Sequence, residues 1–370
     1  MSTFALIADP HVTVPNPDTG WTPPPIPTEP TMYEDSVELL EAAIEEINAL
    51  PEVDCVLVAG DLTKDSEPYN HERARELLTR FRKPVYCISG NHDQPRPQHL
   101  RPVEFLDPDV TPVRTAEIPH WYGDFGFKHT QRTAYSCDPL PDVHLVGICS
   151  SKPEEDRGFI PPETLAWLDD DLSRQRDPRR HTVVMLHHSI IDHVPDESIN
   201  PMFSWFHVEN AAALKAVLRK HGVRLTLAGH LHMQDIKRED GLHNIVTASL
   251  ASFPHAYRLM TVGDGAVEIR SRALQATRSR PDLQKFSREH TGRAFVSILT
   301  KVLMGQPFRY PRDRAEAAAH QLNDWWPAIA QGDEQFHYSA EQLGDPALAA
   351  YVNSFNDPHG VDNDLTIELG

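Results

Sequence analysis

Residues 85–93 read VYCISGNHD, an apolar run of strand length followed by a glycine and three polar side chains. Residues 85–89 have the composition of a buried strand, and Gly90 permits a tight backbone turn directly after it. The stretch therefore predicts a strand whose carboxyl end presents the polar tripeptide Asn-His-Asp.

Four further apolar runs are followed in the same way by potential metal ligands. They are residues 4–8 before Asp9-Pro10-His11, 55–59 before Gly60-Asp61, 182–186 before His187-His188, and 224–228 before Gly229-His230-Leu231-His232. One such succession alone is weak, but five in one chain are a strong signal. The carboxyl ends of parallel strands in an α/β sheet meet at one crevice, so we expect these polar side chains to come together.

Helical patterns alternate with these strands, and the chain is predicted to be an α/β protein. Amphipathic helices are indicated at residues 34–48 and 209–220. Further strand-like runs at residues 144–149, 244–247, 257–262 and 267–269 predict a second sheet packed on the first.

The sequence changes character after Arg280, where apolar residues recur at helical spacing around positions 295–302, 322–329 and 348–355. We therefore predict a catalytic domain at residues 1–280 and a helical C-terminal module at residues 281–370. Trp325 and Trp326 are compatible with a ligand-stacking surface, but at helical spacing beside Leu and Ile they are more typical of a core.

Seven prolines lie between Val12 and Met32, a density that excludes a helix or an interior strand. This proline-rich segment is predicted to be an extended loop beside Asp9 and His11. It is either a lid over the site or a passive surface loop, and the sequence leaves both open.

The bulk composition narrows the class of protein. A formal charge of −19 disfavours binding to long nucleic acids, which rests on Lys and Arg contacts to phosphates. There is no apolar run of about 18 residues that could span a bilayer. The cysteines at 55, 87, 137 and 149 form no Cys-x-x-Cys pair and lie in or beside apolar runs, as free thiols do. We expect a soluble, cytoplasmic protein without membrane association.

The residues at the predicted crevice have a coherent ligand chemistry. Carboxylates, imidazoles and one amide, without a thiolate, suit divalent Mn, Fe, Zn or Co better than an iron–sulfur cluster or copper(I).

The series Asp-x-His, Gly-Asp, Gly-Asn-His-Asp, His and Gly-His-x-His resembles that of the calcineurin-like metallophosphoesterase superfamily, over about residues 4–270. The chain is most similar to bacterial class III cyclic-nucleotide phosphodiesterases in two motifs and in its helical extension. The motifs are Gly60-Asp61-Leu62-Thr63 and Gly229-His230-Leu231-His232. The resemblance implies a four-layer α/β/β/α sandwich with a C-terminal helical extension, and a centre of two divalent metal ions (Mn, Fe or Zn) at one edge.

The resemblance also implies roles for individual residues. The first metal would be held by Asp9, His11, Asp61 and His232, and the second by Asp61, Asn91, His187 and His230, with Asp61 as the bridge. His188 stays open as an alternative to His187.

Two further roles follow from the same resemblance. His92 would contact the phosphate and protonate the leaving group, with Asp93 placed to orient it. Lys64 stands where purple acid phosphatases have a tyrosine, so a tyrosinate-ligated ferric site is not expected.

The predicted function is a dinuclear metal-dependent phosphodiesterase acting on cyclic nucleotides or similar small phosphodiesters. The alternatives are a phosphomonoesterase, a nucleotide pyrophosphatase, or a noncatalytic interaction protein on the same fold. The predicted partner is a small phosphorylated substrate. The C-terminal helices are expected to form either a homo-oligomer interface or a cap over the site.

Overall fold

The computed structural model of the chain describes residues 1–26, 28–96, 103–128, 130–175, 177, 179–200, 203–263, 265–357 and 360–369. Pro27 of the proline-rich segment lies outside the described residues. Twelve strands lie within this part of the chain: β1 (Ser2–Ile7), β2 (Cys55–Ala59), β3 (Val85–Ile88), β4 (Ala134–Leu140), β5 (Val143–Ile148), β6 (His181–Met185), β7 (Leu225–Ala228), β8 (Asp235–Glu239), β9 (Leu242–Val246), β10 (Ala256–Gly263), β11 (Ala266–Ala273) and β12 (Leu365–Glu368).

The same described residues contain ten α-helices. They are α1 (Ser36–Asn48), α2 (Pro68–Leu78), α3 (Ile118–Trp121), α4 (Pro162–Arg174), α5 (Ala211–Lys220), α6 (Leu283–Met304), α7 (Arg312–Gln321), α8 (Trp325–Ala330), α9 (Ala340–Leu343) and α10 (Pro346–Asn353). The two predicted amphipathic helices are α1 and α5, and each begins two residues later than its pattern indicates.

The strands form two mixed six-stranded sheets. The first has the order β12-β11-β10-β1-β2-β3, with β1, β2 and β3 parallel. The second has the order β4-β5-β6-β7-β9-β8, with β5, β6, β7 and β9 parallel. All the predicted strands are present, but their expected grouping is wrong. Three of the five ligand-bearing strands lie in the first sheet and two in the second.

The sheets pack face to face between two layers of helices. The largest apolar cluster joins both sheets to α1 and α2, and another joins the second sheet to α4 and α5. Strand β6 shows how one strand serves both: Val183 and Met185 belong to the first cluster, whereas Val184 points the other way into the second. The predicted α/β/β/α sandwich is confirmed.

The C-terminal helices build a third apolar cluster at the end of the second sheet. In it Trp325 and Trp326 of α8 and Leu299 of α6 pack with Ala228, the last residue of β7, and with Leu231 in the loop after it. The predicted helical C-terminal region is confirmed, and it is anchored directly beside a ligand-bearing loop.

The last described segment returns to the first sheet, where β12 pairs antiparallel with β11. The sequence did not predict this strand. The division into two domains at residue 280 stays a prediction.

None of the helices in the described ranges combines the length and the apolar character needed to cross a bilayer. The four cysteines carry free thiols; those of Cys55, Cys87 and Cys149 are buried, and Cys137 is half-buried.

Candidate metal centre

The predicted ligands lie just beyond the carboxyl ends of β1, β2 and β3 in the first sheet and of β6 and β7 in the second. Five of them, Asp9, His11, Asp61, His230 and His232, have φ angles between +44° and +69°. Residues other than glycine rarely adopt this left-handed conformation, and those that do are concentrated at functional sites. The backbone N–H of His11 donates to the carbonyl of Asp61 at 3.0 Å and so ties two of the loops together.

The first group of predicted ligands consists of Asp9, His11, Asp61 and His232. Ligand atoms of all four lie within 4.8 Å of one another. Nε2 of His11 is 3.1 Å from Nε2 of His232 and 3.7 Å from Oδ2 of Asp61. Nε2 of His232 is 3.4 Å from Oδ1 of Asp9. The four side chains therefore converge on one small volume, as the ligands of a single ion do.

The second group shares Asp61 with the first. Ligand atoms of Asp61, His187 and His230 lie within 4.8 Å of one another. Nε2 of His187 is 3.2 Å from Oδ2 of Asp61 and 3.1 Å from Oδ1 of Asn91. The structure thus brings together all seven predicted ligands around one carboxylate.

Hydrogen bonds distinguish the two adjacent histidines. Nδ1 of His187 donates to the carbonyl of Ala59 at 2.8 Å, which leaves Nε2 to face the site. His188 is turned away, with Nδ1 2.9 Å from Oγ of Ser150 and Nε2 2.8 Å from the carbonyl of Asp156. The geometry therefore favours His187 over His188 as a ligand.

Two glycines allow the carboxylates to approach the loops. A Cβ atom on Gly90 would lie 2.1 Å from Oδ1 of Asp61, and a Cβ atom on Gly229 would lie 2.4 Å from Oδ2 of Asp9. Any larger residue at either position would displace a predicted ligand.

The electrostatics of the site fit a cation. Burial lowers the pKa of His11 and of His230 well below the ordinary value, so these rings present unprotonated nitrogens. Burial also disfavours charge on His187, but the Asp61 carboxylate beside it raises the pKa of that ring to about 9. Burial opposes ionisation of Asp61, yet the neighbouring imidazole of His187 holds the pKa of this carboxyl well below its usual range. Asp61 therefore attracts positive charge to this place, as a metal ligand does.

The contacts of Asp93 do not support its expected role in orienting His92. Its carboxylate accepts hydrogen bonds at 2.9 Å from the backbone N–H groups of Gly90, Leu62 and Thr63, and from the Thr63 hydroxyl. Among the described residues none of its hydrogen-bond partners is the His92 ring. Asp93 instead fastens the loop after β3 to the loop after β2, which carries Asp61.

His92 is oriented by residues that the sequence did not single out for this role. Its Nδ1 donates to the carbonyl of Lys64 and lies 3.4 Å from Oδ1 of Asp65. Its backbone N–H donates to Oδ1 of Asp61 at 2.8 Å, so the ring is fixed relative to the predicted bridge. The side chain of Lys64 is fully buried and paired with Asp65 and Glu67, away from a ligand role.

Asp156 is a second residue that the sequence reasoning missed. Its carboxylate accepts from Nδ2 of Asn91 at 3.1 Å and is paired with the guanidinium of Arg96. This bond turns the amide oxygen of Asn91 toward His187. Asp156 lies in the loop after the strand predicted at 144–149, and that position is the signal that could have found it.

A cavity of about 340 Å³ opens onto these side chains. Thr28, Glu29, Pro30 and Thr31 of the proline-rich segment line one part of it. The segment therefore forms a wall of the site. The idea that it moves as a lid stays a hypothesis.

A family model described as calcineurin-like phosphoesterase matches residues 2–234, which include every predicted ligand. The chain belongs to the calcineurin-like phosphoesterase family. The described C-terminal helices lie outside the segment that this family model matches.

Two curated bacterial proteins show how similar this chain is to known phosphodiesterases. A 3′,5′-cyclic-nucleotide phosphodiesterase of Nostoc is 25% identical over 203 residues, which cover 54% of this chain and 63% of the relative. The 3′,5′-cyclic adenosine monophosphate phosphodiesterase CpdA of Haemophilus influenzae is 25% identical over 253 residues, covering 63% of this chain and 80% of that protein. The match thus spans less than two thirds of the Nostoc relative.

The crystal structure of a dimetal phosphatase from Danio rerio superposes on the calcineurin-like phosphoesterase fold described above. Its TM-score is 0.53 at 16% identity, over 74% of this chain and 96% of the other. At this identity the likeness concerns the fold.

Proposed function

We propose that this chain hydrolyses phosphodiesters with the help of two divalent metal ions. The observation that carries the proposal is the pair of ligand groups that share Asp61. A shared carboxylate holds two ions close together, the arrangement used for in-line displacement at phosphorus. Mn, Fe and Zn all accept this set of oxygen and nitrogen ligands.

The two groups, with Asn91 beside His187, support a proposed set of ligands for each ion. Asp9, His11, Asp61 and His232 would hold one; the second would be held by Asp61, Asn91, His187 and His230. When bound, such ions supply positive charge to the phosphoryl oxygens and lower the pKa of a coordinated water to about 7.

His92 is proposed as the proton donor to the leaving oxygen. Its ring lines the cavity, with centroid 4.8 Å from that of His11, and its Nδ1 is held by the Lys64 carbonyl. Nε2 is thereby left to serve the substrate. An imidazolium is suited to protonate an alkoxide near neutral pH.

The names of the relatives support cyclic nucleotides as one candidate class of natural substrate. Free thiols at all four cysteines support a reducing compartment such as the cytoplasm.

The test is hydrolysis of bis-p-nitrophenyl phosphate and 3′,5′-cyclic AMP by chelator-stripped protein, with and without added Mn²⁺, alongside Asp61→Ala. We expect metal-dependent turnover of the aryl diester that Asp61→Ala lowers by at least about a hundredfold. Metal-independent turnover, or full activity of Asp61→Ala, would overturn the proposal. p-Nitrophenyl phosphate is assayed alongside, and turnover of this monoester alone would replace the proposal with a monoesterase.

A further inference from the structure

The cavity at the metal centre continues into a space lined by the C-terminal helices. We define the apolar chamber by the lining side chains Phe203, Phe206, Phe295, Ile298, Leu299, Val302, Trp325 and Trp326. The same cavity is also lined by Asp61, Asn91, His92, His230 and His232, and the ring centroids of Phe206 and His230 are 5.1 Å apart. One substrate can therefore place its phosphate at the metal centre and a substituent of that phosphate in the apolar chamber.

One face of α6 forms much of this chamber. Thr291, Phe295, Ile298 and Val302 follow one another at intervals of three or four residues, the spacing of a single helix face. The last three are half-buried, and Phe295 stacks on Trp326 with ring centroids 4.5 Å apart. Covering such a face with hydrocarbon is favourable, because it removes apolar surface from water.

The polar groups of the chamber do not suit a nucleobase. Phenylalanine and aliphatic side chains offer no hydrogen bonds and tryptophan only donates, so acceptors are few here; the hydroxyls of Thr291 and Tyr351 line the same cavity. The indole N–H of Trp325 is already bonded to the carbonyl of Val352 at 3.1 Å. Oγ1 of Thr291 is buried and has no hydrogen-bond partner within the described residues. A base edge with several donors and acceptors is costly to bury here, whereas a hydrocarbon chain is not.

We propose that the apolar chamber binds an alkyl chain carried by one ester oxygen of the phosphodiester. This inference rests on the proposed function and names the substrate class of the same site. The phosphate lies at the metal ligands, and the chain extends along α6 toward Trp326.

The test is a series of 4-nitrophenyl methyl, propyl and hexyl phosphates, hydrolysed by the full chain loaded with Mn²⁺. Burial of each methylene should raise kcat/KM by about two- to fourfold. The value for the hexyl ester, which has five more methylenes, should therefore exceed that for the methyl ester by about 30-fold or more. Val302→Asn, which places an amide in the chamber, should lower this hexyl-to-methyl ratio by at least about fivefold.

Val296→Asn is the matched control. Val296 lies on the same helix and is also half-buried, but it lines a separate groove with Arg293 and Lys301. This variant should leave the hexyl-to-methyl ratio unchanged. A fall of the ratio in both variants would mean that the helix is merely disturbed, and would overturn the assignment of Val302.

Binding without turnover supplies an independent readout. Calorimetry of hexylphosphonate and methylphosphonate on the Mn²⁺-loaded protein should show tighter binding of the hexyl compound, with a more negative heat-capacity change. Metal-dependent turnover without any dependence on chain length, or with cyclic AMP preferred over the hexyl ester, would overturn the inference alone. Absence of turnover for every ester, Mn²⁺ present or not, would instead remove the proposed function.

Discussion

At the scale of single residues, the close approach of Gly229 to Asp9 limits which residue type position 229 can hold. We expect Gly229→Ala to push the Asp9 carboxylate aside, because the new Cβ atom would lie 2.4 Å from Oδ2. Mn²⁺ affinity should fall by about tenfold or more, the cost typical of a disturbed ligand support. Titration calorimetry on chelator-stripped protein measures it.

Gly123→Ala is the control for this substitution. A Cβ atom on Gly123 would have no neighbour within 4 Å, so its variant should bind Mn²⁺ as the unaltered chain does. Equal affinities in all three proteins would show that Asp9 is not a ligand held in place by this contact.

The proposed acid, His92, is tested by changing the leaving group. An alkoxide needs a proton to depart, whereas p-nitrophenolate does not, so His92→Ala should cost alkyl leaving groups about a hundredfold more than the aryl one. Steady-state kinetics on a dialkyl and an aryl diester give the two ratios. Equal losses on both would assign His92 to phosphate binding only.

Every side chain predicted as a ligand follows a strand end, and the structure brings all seven close together, as this local rule predicts. It could not assign the partners of those ligands. Asn91 and Asp156 are 65 residues apart in the chain, and their hydrogen bond depends on how two sheets meet. The role expected for Asp93 came from the resemblance, which does not show where this carboxylate points; here it accepts from the backbone of Leu62 and Thr63.

At the scale of elements, burial decided which strands the sequence could predict. β1 and β2 are buried along their whole length, so they read as apolar runs. The three missed strands, β4, β8 and β12, lie at sheet edges, and β8 reads Asp-Ile-Lys-Arg-Glu. The apolar pattern of a strand does not show which strand pairs with it, which is why the grouping was wrong.

The segment before β12 carries a buried carboxyl whose titration is expected to affect stability. Glu334 is 4% exposed, and burial, with Asp235 and Asp362 nearby, raises its pKa from 4.5 to about 8. The folded state therefore keeps a proton that the unfolded chain loses above about pH 4.5. The stabilising contribution is present below that pH and is lost as the pH rises toward 8.

We therefore expect Glu334→Gln to weaken the fall in stability between pH 5 and 8. At pH 8 the variant should be more stable by about 1 kcal/mol or more, because it buries no charge. Urea denaturation at both pH values measures this, with Glu341→Gln at an exposed position of α9 as the control. Parallel pH profiles for Glu334→Gln and the unaltered chain would contradict the assignment.

At the scale of the whole molecule, the role of the C-terminal helices lay beyond sequence reasoning. Helical periodicity shows that a face is apolar but does not show what covers it. Trp325 and Trp326 are buried, as their core-like spacing predicts, yet they also line the cavity. Assembly of copies through these helices stays a prediction.

The centre joins the two sheets, and this gives metal removal a consequence for the whole fold. Asp9, His11 and Asp61 belong to loops of the first sheet, whereas His187 and His232 belong to loops of the second. An ion held by ligands from both sheets binds the native state only. At a free ion concentration a hundred times its Kd, binding raises the free energy of unfolding by about 2.7 kcal/mol. For a chain of 370 residues that corresponds to an increase in Tm of roughly 3–5 °C.

Differential scanning calorimetry of chelator-stripped protein, with and without Mn²⁺, should show this increase, and Asp61→Ala should lose most of it. The comparison distinguishes ions bound at the metal centre from ions bound adventitiously. Binding at surface sites would raise the Tm of the variant and of the unaltered chain equally. An unchanged Tm at saturating Mn²⁺ would mean that the ligands, although convergent, hold no ion across the two sheets.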